Sequence, residues 1–346
     1  MKRKIRPESS LGKQMKKKVS KPVEKRKPYD GDMSNITHTG STLLDLAISG
    51  GRIHGGGIPS GILVEIFGPS GSGKTVMLSE LAGMIQRKGG EVMFADPEAR
   101  LNKQFARIFD LDTDEMSYDT PDTVIQVFEA VRAWEPTKKG IHGIFADSLA
   151  ALSTDMEMED EDKMGMKRAK DFSEQLRKTC RILSQKKYLM VCSNQIRQTM
   201  NQFGPKYKSP GGEAVPFYAS LRLRTEISKK IWETRKIAGK EIKRVIGIQI
   251  VIEVFKSSVW KPFGTAPMTI LFDYGIDDIR ANLQYIKDFT KNTVYTHNKE
   301  KLGASMIESI QIIEEQGWEK DLREEVIELW ENIESLFELE RKKKVR

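Results

Sequence analysis

"EIFGPSGSGKTVML", Glu65–Leu78, is the stretch from which the rest of the chain can be read. The apolar run that leads into it, from Ile62 to Phe67, has the length of one strand, and the residues from Lys74 onward have a helical pattern. Between them Gly68, Gly73, Lys74 and Thr75 satisfy the spacing G-x-x-x-x-G-K-[ST] in full, with Pro69, Ser70, Gly71 and Ser72 inside it. Glycines let successive backbone N–H groups turn inward on a polyphosphate, and the start of a helix adds its positive dipole end. In that chemistry Lys74 reaches the β and γ oxygens of a nucleotide such as ATP, and the Thr75 hydroxyl ligates magnesium.

Outward from this loop, "ILVEIF" (62–67), "EVMFAD" (91–96), "GIFAD" (143–147) and "YLMVCSN" (188–194) are strand-sized. Helix-patterned stretches at 74–88, 99–109, 122–134 and 166–186 alternate with them, which predicts an α/β fold with a mainly parallel sheet covered on both faces. Asp147 ends one strand, where a carboxylate faces the phosphate loop and can hold the magnesium shell. Asp96 and Glu98 follow the neighbouring strand, and Glu98 is placed to orient and deprotonate an attacking water. From 220 the texture changes: "LRLRTEI" and "IGIQIVIEV" alternate with period two and predict antiparallel closing strands, with a polar excursion at 229–244 between them. Beyond about 280 the chain is helix-rich, and Leu322, Val326, Leu329, Ile333 and Leu336 share one helix face.

Composition sets the outer bounds. With 38% hydrophobic and 31% charged residues, 346 residues suffice for a large soluble core. No apolar run reaches the roughly 18–20 residues of a membrane span, and the basic start lacks the apolar segment of a secretory signal. Cys180 and Cys192 fit no zinc spacing and read as reduced thiols in a cytoplasmic protein. Of the net +8, residues 1–28 carry +10 and 341–346 carry +5, leaving −7 for 29–340. The expected organisation is a basic, unfolded tail (1–35), a core (36–280), a small helical domain (281–340) and a basic end (341–346), the tail reading either as solvated chain or as a polyanion-binding arm.

Taken in series, "HTGSTLLDLAISGG", the phosphate loop, "MFADPEARLN", "GIFADSLAALS", "SNQIRQTMNQFG", "GGEAVPFYASLRLR" and "FKSSVWKPFGTAPMTILFDYGID" resemble the bacterial RecA recombinases and their phage-encoded relatives. The resemblance runs from about Ile36 to Gly303. It implies a RecA-like ATPase core, ATP and magnesium as cofactors, and DNA-dependent hydrolysis of ATP. It also implies single- and double-stranded DNA as partners in recombination and repair, and a filament or ring with ATP at subunit interfaces, in the cytoplasm of a bacterial or phage-infected cell. Residue by residue, Glu98 matches the water-activating glutamate, Asp147 the magnesium-supporting acid and Phe105 the ring that stacks on adenine. Gln195 matches the sensor of the γ-phosphate, and Lys256 a lysine that acts on a neighbouring subunit's nucleotide. The second DNA loop matches 197–212, with Arg197, Phe203, Lys206, Tyr207, Lys208, Gly211 and Gly212, and Arg177 matches a helical position near DNA.

Three departures stand out. The first DNA loop, 155–166, carries six acids before Lys163; Ser258 stands where the family has a second lysine; and the family's N-terminal helix and strand have no clear match in the basic tail. A ring-forming motor, or a DNA-binding accessory protein switched by ATP, uses the same phosphate loop. Nothing marks the pocket of a small-molecule kinase.

Overall fold

The computed structural model describes residues 35–149, 164–195, 197–198, 207–208, 214–290, 292–338 and 341. Its strands in chain order are β1 (Ile36–Thr37), β2 (Ile58–Pro59), β3 (Leu63–Gly68), β4 (Val92–Ala95), β5 (Ser117–Asp119), β6 (Gly143–Ala146), β7 (Leu189–Gln195), β8 (Arg197–Gln198) and β9 (Tyr207–Lys208). Then come β10 (Leu221–Ile237), β11 (Lys240–Ser257), β12 (Thr265–Leu271), β13 (Gly275–Ile276), β14 (Thr296–His297) and β15 (Glu300–Lys301). Nine of them form one sheet in the order β13-β12-β11-β10-β3-β7-β6-β4-β5. From β10 to β5 every pairing is parallel, and from β10 to β13 every pairing is antiparallel. This is the mainly parallel α/β core with antiparallel closing strands that the periodicity predicts.

Strand alternation sorts the core into two layers. Val92, Phe94, Phe145, Leu189 and Val191 pack on one face with Met77, Leu78, Leu81, Ala82 and Ile85 of the helix Lys74–Arg87. Met93, Ala95, Ile144, Ala146, Met190 and Cys192 face the other way, against Val127, Phe128 and Val131 of the helix Val124–Ala133 and Leu176 and Leu183 of the helix Met164–Lys186. A sheet buried on both faces explains why its central strands read as continuous apolar runs. Cys180 and Cys192 are free thiols, and burial pushes the Cys180 pKa up to about 11.

Two expectations change. Within 99–109 only Lys103–Arg107 is helical, because Ala99 adopts φ 49 and Asn102 caps the helix by accepting the Phe105 N–H at 2.9 Å. The polar 229–244 stretch does not separate two strands but extends them: β10 and β11 pair without interruption by coil from Leu221↔Ser257 to Ile237↔Lys240, and Ala238 and Gly239, both at positive φ, close the turn. β12 covers β11 only as far as Gly247, so the outer part of this hairpin stands free of the sheet as a two-stranded arm.

Leu322, Val326 and Ile327 of the helix Glu319–Ser335, and Ile313 of the helix Met306–Gln316, belong to the same buried cluster as the sheet. Leu329, Ile333 and Leu336 continue that face half-buried. Among the described residues, no helix is long and apolar enough to cross a membrane.

Candidate functional site

The loop that follows β3 is shaped by its own short side chains. Ser72 Oγ donates to the Pro69 carbonyl at 2.8 Å and shares a hydrogen bond with Thr225 Oγ1 at 2.7 Å. Gly68 lies flat against β10, where a Cβ would stand 2.1 Å from Thr225 Oγ1. Gly73, at φ 80, turns the chain into the helix Lys74–Arg87. Lys74 is buried, and its ammonium donates to the carbonyls of Gly68 and Pro69 at 3.1 and 2.7 Å. Burial lowers the Lys74 pKa, and the nearby Asp147 carboxylate opposes that shift.

Parallel register brings distant residues to this loop. Gly68 pairs with Gln195 across β3 and β7, and β6 lies on the other side of β7, so Asp147 at its end meets the same edge. Thr75 Oγ1 donates to Asp147 Oδ2 at 2.5 Å, and the Ser193 hydroxyl donates to Asp147 Oδ1. The result is a cavity of about 230 Å³. Its polar lining comes from Ser70, Lys74, Thr75, Arg100, Asp147 and Gln195, among others, and Ile248, Ile270 and Phe272 form an apolar side. Its volume is below the roughly 300–1,000 Å³ of sites for whole drug-sized ligands, so it suits a polyphosphate with its nucleoside lying outside. Thr75 and Asp147 are hard oxygen donors at adjoining positions, the kind that magnesium takes alongside water and phosphate oxygens. No cluster of three or more histidine, cysteine or carboxylate side chains able to hold a metal occurs among the described residues.

The other predicted residues lie apart from this cavity. Glu98 does not line it; its Oε1 accepts from Arg100 Nη2 at 2.8 Å, while its Oε2 is buried without a hydrogen-bond partner. Asp96 is structural, accepting the Leu101 N–H at 2.7 Å and the Tyr118 hydroxyl at 3.0 Å. Phe105 packs edge-on against Phe109, with ring centroids 5.0 Å apart. Lys256 is also outside the cavity, donating to the carbonyls of Pro216 and Phe217 at 2.8 and 2.9 Å. Burial and the neighbouring Arg222 lower its pKa.

Arg177 is exposed on its helix, while the adjacent Lys178 is paired with Glu174 at 2.7 Å. Arg197 pairs with Lys208, and Gln198 with Tyr207, in the β8–β9 ladder that begins two residues after Gln195. Phe203, Lys206, Gly211 and Gly212 lie outside the described residues, as do positions 1–34 of the basic tail, positions 155–163 of the first DNA loop and all but Arg341 of the basic end.

Sequence reasoning missed Arg100, Ser193 and the apolar side of the cavity. Ser193 was within reach, because strand alternation puts it on the face of Gln195. Arg100 carried no such signal.

Comparison with known proteins agrees with this fold. The family model for the RecA N-terminal domain matches residues 11–277, starting upstream of the Ile36 at which the motif resemblance begins. Protein RecA of Rickettsia prowazekii (strain Madrid E) is 33% identical over 275 residues, covering 77% of this chain and 76% of that protein. Protein RecA of Bacillus mycoides (strain KBAB4) is 30% identical over 330 residues, covering 92% and 88%. Protein RecA of Bacillus anthracis is 30% identical over 299 residues, covering 83% and 81%. A family model that spans most of the chain, and relatives aligned over most of both lengths, make this protein a member of the RecA family.

Proposed function

We propose that this chain is an ATP-dependent, single-strand DNA-binding recombinase that pairs its bound strand with homologous duplex. In this reading it polymerises as a filament or ring in the cytoplasm of a bacterial or phage-infected cell, with ATP at subunit interfaces. The observation that carries the proposal is the convergence of Lys74, Thr75, Asp147 and Gln195 on one cavity at the edge from which β8 departs. Lys74 exchanges two carbonyls for phosphate oxygens, a stronger partner for a desolvated ammonium. Bound between Thr75 and Asp147, magnesium would neutralise charge on the phosphates. Glu98 accepts a proton from the attacking water, and Gln195 reports the γ-phosphate to the second DNA loop.

Phe105 contributes a stacking face for adenine, and Lys256 acts on the nucleotide of a neighbouring subunit. Arg177, Arg197, Phe203, Lys206, Tyr207, Lys208, Gly211 and Gly212 contact DNA, the cations neutralising phosphates and the rings stacking on bases.

The test is the ATPase rate with and without single-stranded DNA, with electron microscopy of the same mixtures. Stimulation by DNA together with ordered nucleoprotein assemblies is expected. ATP-dependent DNA binding with no stimulated turnover and no assemblies would favour an ATP-switched accessory protein, a reading to which the acidic first loop and Ser258 lend weight.

A further inference from the structure

The turn after β4 sets two opposite charges side by side, and only one of them reaches the phosphate cavity. Asp96 organises the turn: its carboxylate accepts the Leu101 N–H, and its carbonyl accepts the Ala99 N–H at 3.0 Å. Ala99 is thereby held at φ 49, a conformation that alanine adopts when its surroundings impose it. The reversal places Arg100 beside Glu98, with Nη2 and Oε1 2.8 Å apart. Arg100 lines the cavity with Lys74, Asp147 and Gln195, whereas Glu98 does not. The arginine side chain is 53% exposed, and the carboxylate is 24% exposed with a buried, unpartnered Oε2.

We propose that Arg100 is a latch on Glu98 that the terminal phosphate of a nucleoside triphosphate releases, and that the freed guanidinium becomes a second cation for that phosphate. The inference rests on the ATPase reading above. A carboxylate and a terminal phosphate compete for one planar fork of donors, and the phosphate offers more charge and three oxygens. A diphosphate has no group at that position and leaves the latch closed, so the nucleotide shifts the equilibrium only through this differential contact. The two cations already interact: burial chiefly lowers the Lys74 pKa, Asp147 opposes it, and the charge on Arg100 lowers it further.

Once released, Glu98 takes a proton from water as the water oxygen bonds to the γ-phosphorus. The bond from that phosphorus to the β,γ-bridging oxygen breaks, and its electron pair leaves with the diphosphate. Arg100 is thus a positioning residue for Glu98 in the free protein and a phosphate ligand in the loaded one.

The test is the affinity of the 346-residue chain for a non-hydrolysable ATP analogue and for ADP, in wild type, Arg100→Ala, Glu98→Gln and the double variant. Arg100→Ala is expected to lose about tenfold or more in affinity for the analogue and to keep its affinity for ADP, the range of a charge-assisted hydrogen bond. Glu98→Gln loosens the latch, so it should bind the analogue about two- to fivefold more tightly, as breaking an exposed ion pair allows. That gain should be absent from the double variant.

Arg100→Ala with the wild-type ratio of analogue to ADP affinity overturns the latch, and so does a Glu98→Gln gain that persists without Arg100. If Arg100→Ala does not fold, Glu98→Gln decides alone: a gain supports the latch and an unchanged affinity overturns it. A wild-type chain that binds neither nucleotide overturns the ATPase reading itself, and the latch with it.

Discussion

At the scale of single residues, the phosphate loop separates shape from charge. Gly68 supplies shape: an alanine there places its Cβ 2.1 Å from Thr225 Oγ1 and 2.5 Å from the Thr225 carbonyl, and backbone cannot step aside cheaply. Gly68→Ala should therefore cost about 1–3 kcal/mol of stability, the range for overpacking, together with nucleotide binding. Lys74 supplies charge. Its ammonium is desolvated against two carbonyls, so its loss leaves the fold largely indifferent. Lys74→Ala should keep its thermal midpoint and lose about 10- to 100-fold in nucleotide affinity. Thermal melts and a nucleotide titration on both variants check the pair, and a stable Gly68→Ala that binds nucleotide normally contradicts the packing argument.

At the scale of elements, β7 and the β10–β11 hairpin do different work. β7 carries Ser193 and Gln195 to the cavity, and the β8–β9 ladder follows within two residues. A shift at the cavity has only that short path to travel, and linkage requires the coupling to be mutual. Gln195→Ala should keep nucleotide affinity without DNA and lose most of the ATP-induced gain in DNA affinity. DNA titrations with ATP analogue, with ADP and without nucleotide measure that difference; a full gain in the variant moves the switch elsewhere.

The hairpin's outer part carries Lys236, Lys240, Lys243 and Arg244, with Trp232 about half exposed beneath Lys243 at 5.1 Å. Its residues from Thr234 to Arg244 are all exposed, so it contributes little to the core. Replacing 232–245 by Asn-Gly should shift the thermal midpoint by no more than about 2 °C. A larger loss would mean that the arm supports the sheet.

At the scale of the whole molecule, the C-terminal helix is fastened to the rest of the core at several points. Arg323 Nη2 reaches the buried Asp45 at 3.1 Å, Trp330 packs on Trp260 with centroids 5.7 Å apart, and His54 lies between Glu331 and Glu324, at 3.0 Å from each. Burial by itself lowers the His54 pKa, but hydrogen bonds to the two glutamates outweigh it and the net shift is upward. A raised histidine pKa contributes stability that is complete below the ordinary value and is lost as the pH climbs through the folded one. Urea stability should therefore fall as the pH rises past the ordinary histidine value of 6.5 and through the raised folded-state one, and His54→Gln should remove that part of the fall. An identical pH dependence in the variant would take His54 out of the fastening.

The phosphate loop was legible in the sequence because its conformation is local: eight consecutive residues, with glycines where the backbone must turn or touch a neighbour. Apolar runs likewise revealed the parallel sheet, since burial on both faces leaves few polar positions in a strand. The surroundings of the loop were settled by tertiary structure. Asp147 lies 72 positions from Thr75 and reaches it because β3, β7 and β6 are parallel neighbours in a particular register. Arg100 enters the cavity in place of Glu98 through a reversal at Ala99 that no propensity predicts and that Asp96 enforces. Residues within one turn of chain answer to their own sterics, whereas convergence across a sheet answers to register, which the whole core sets at once.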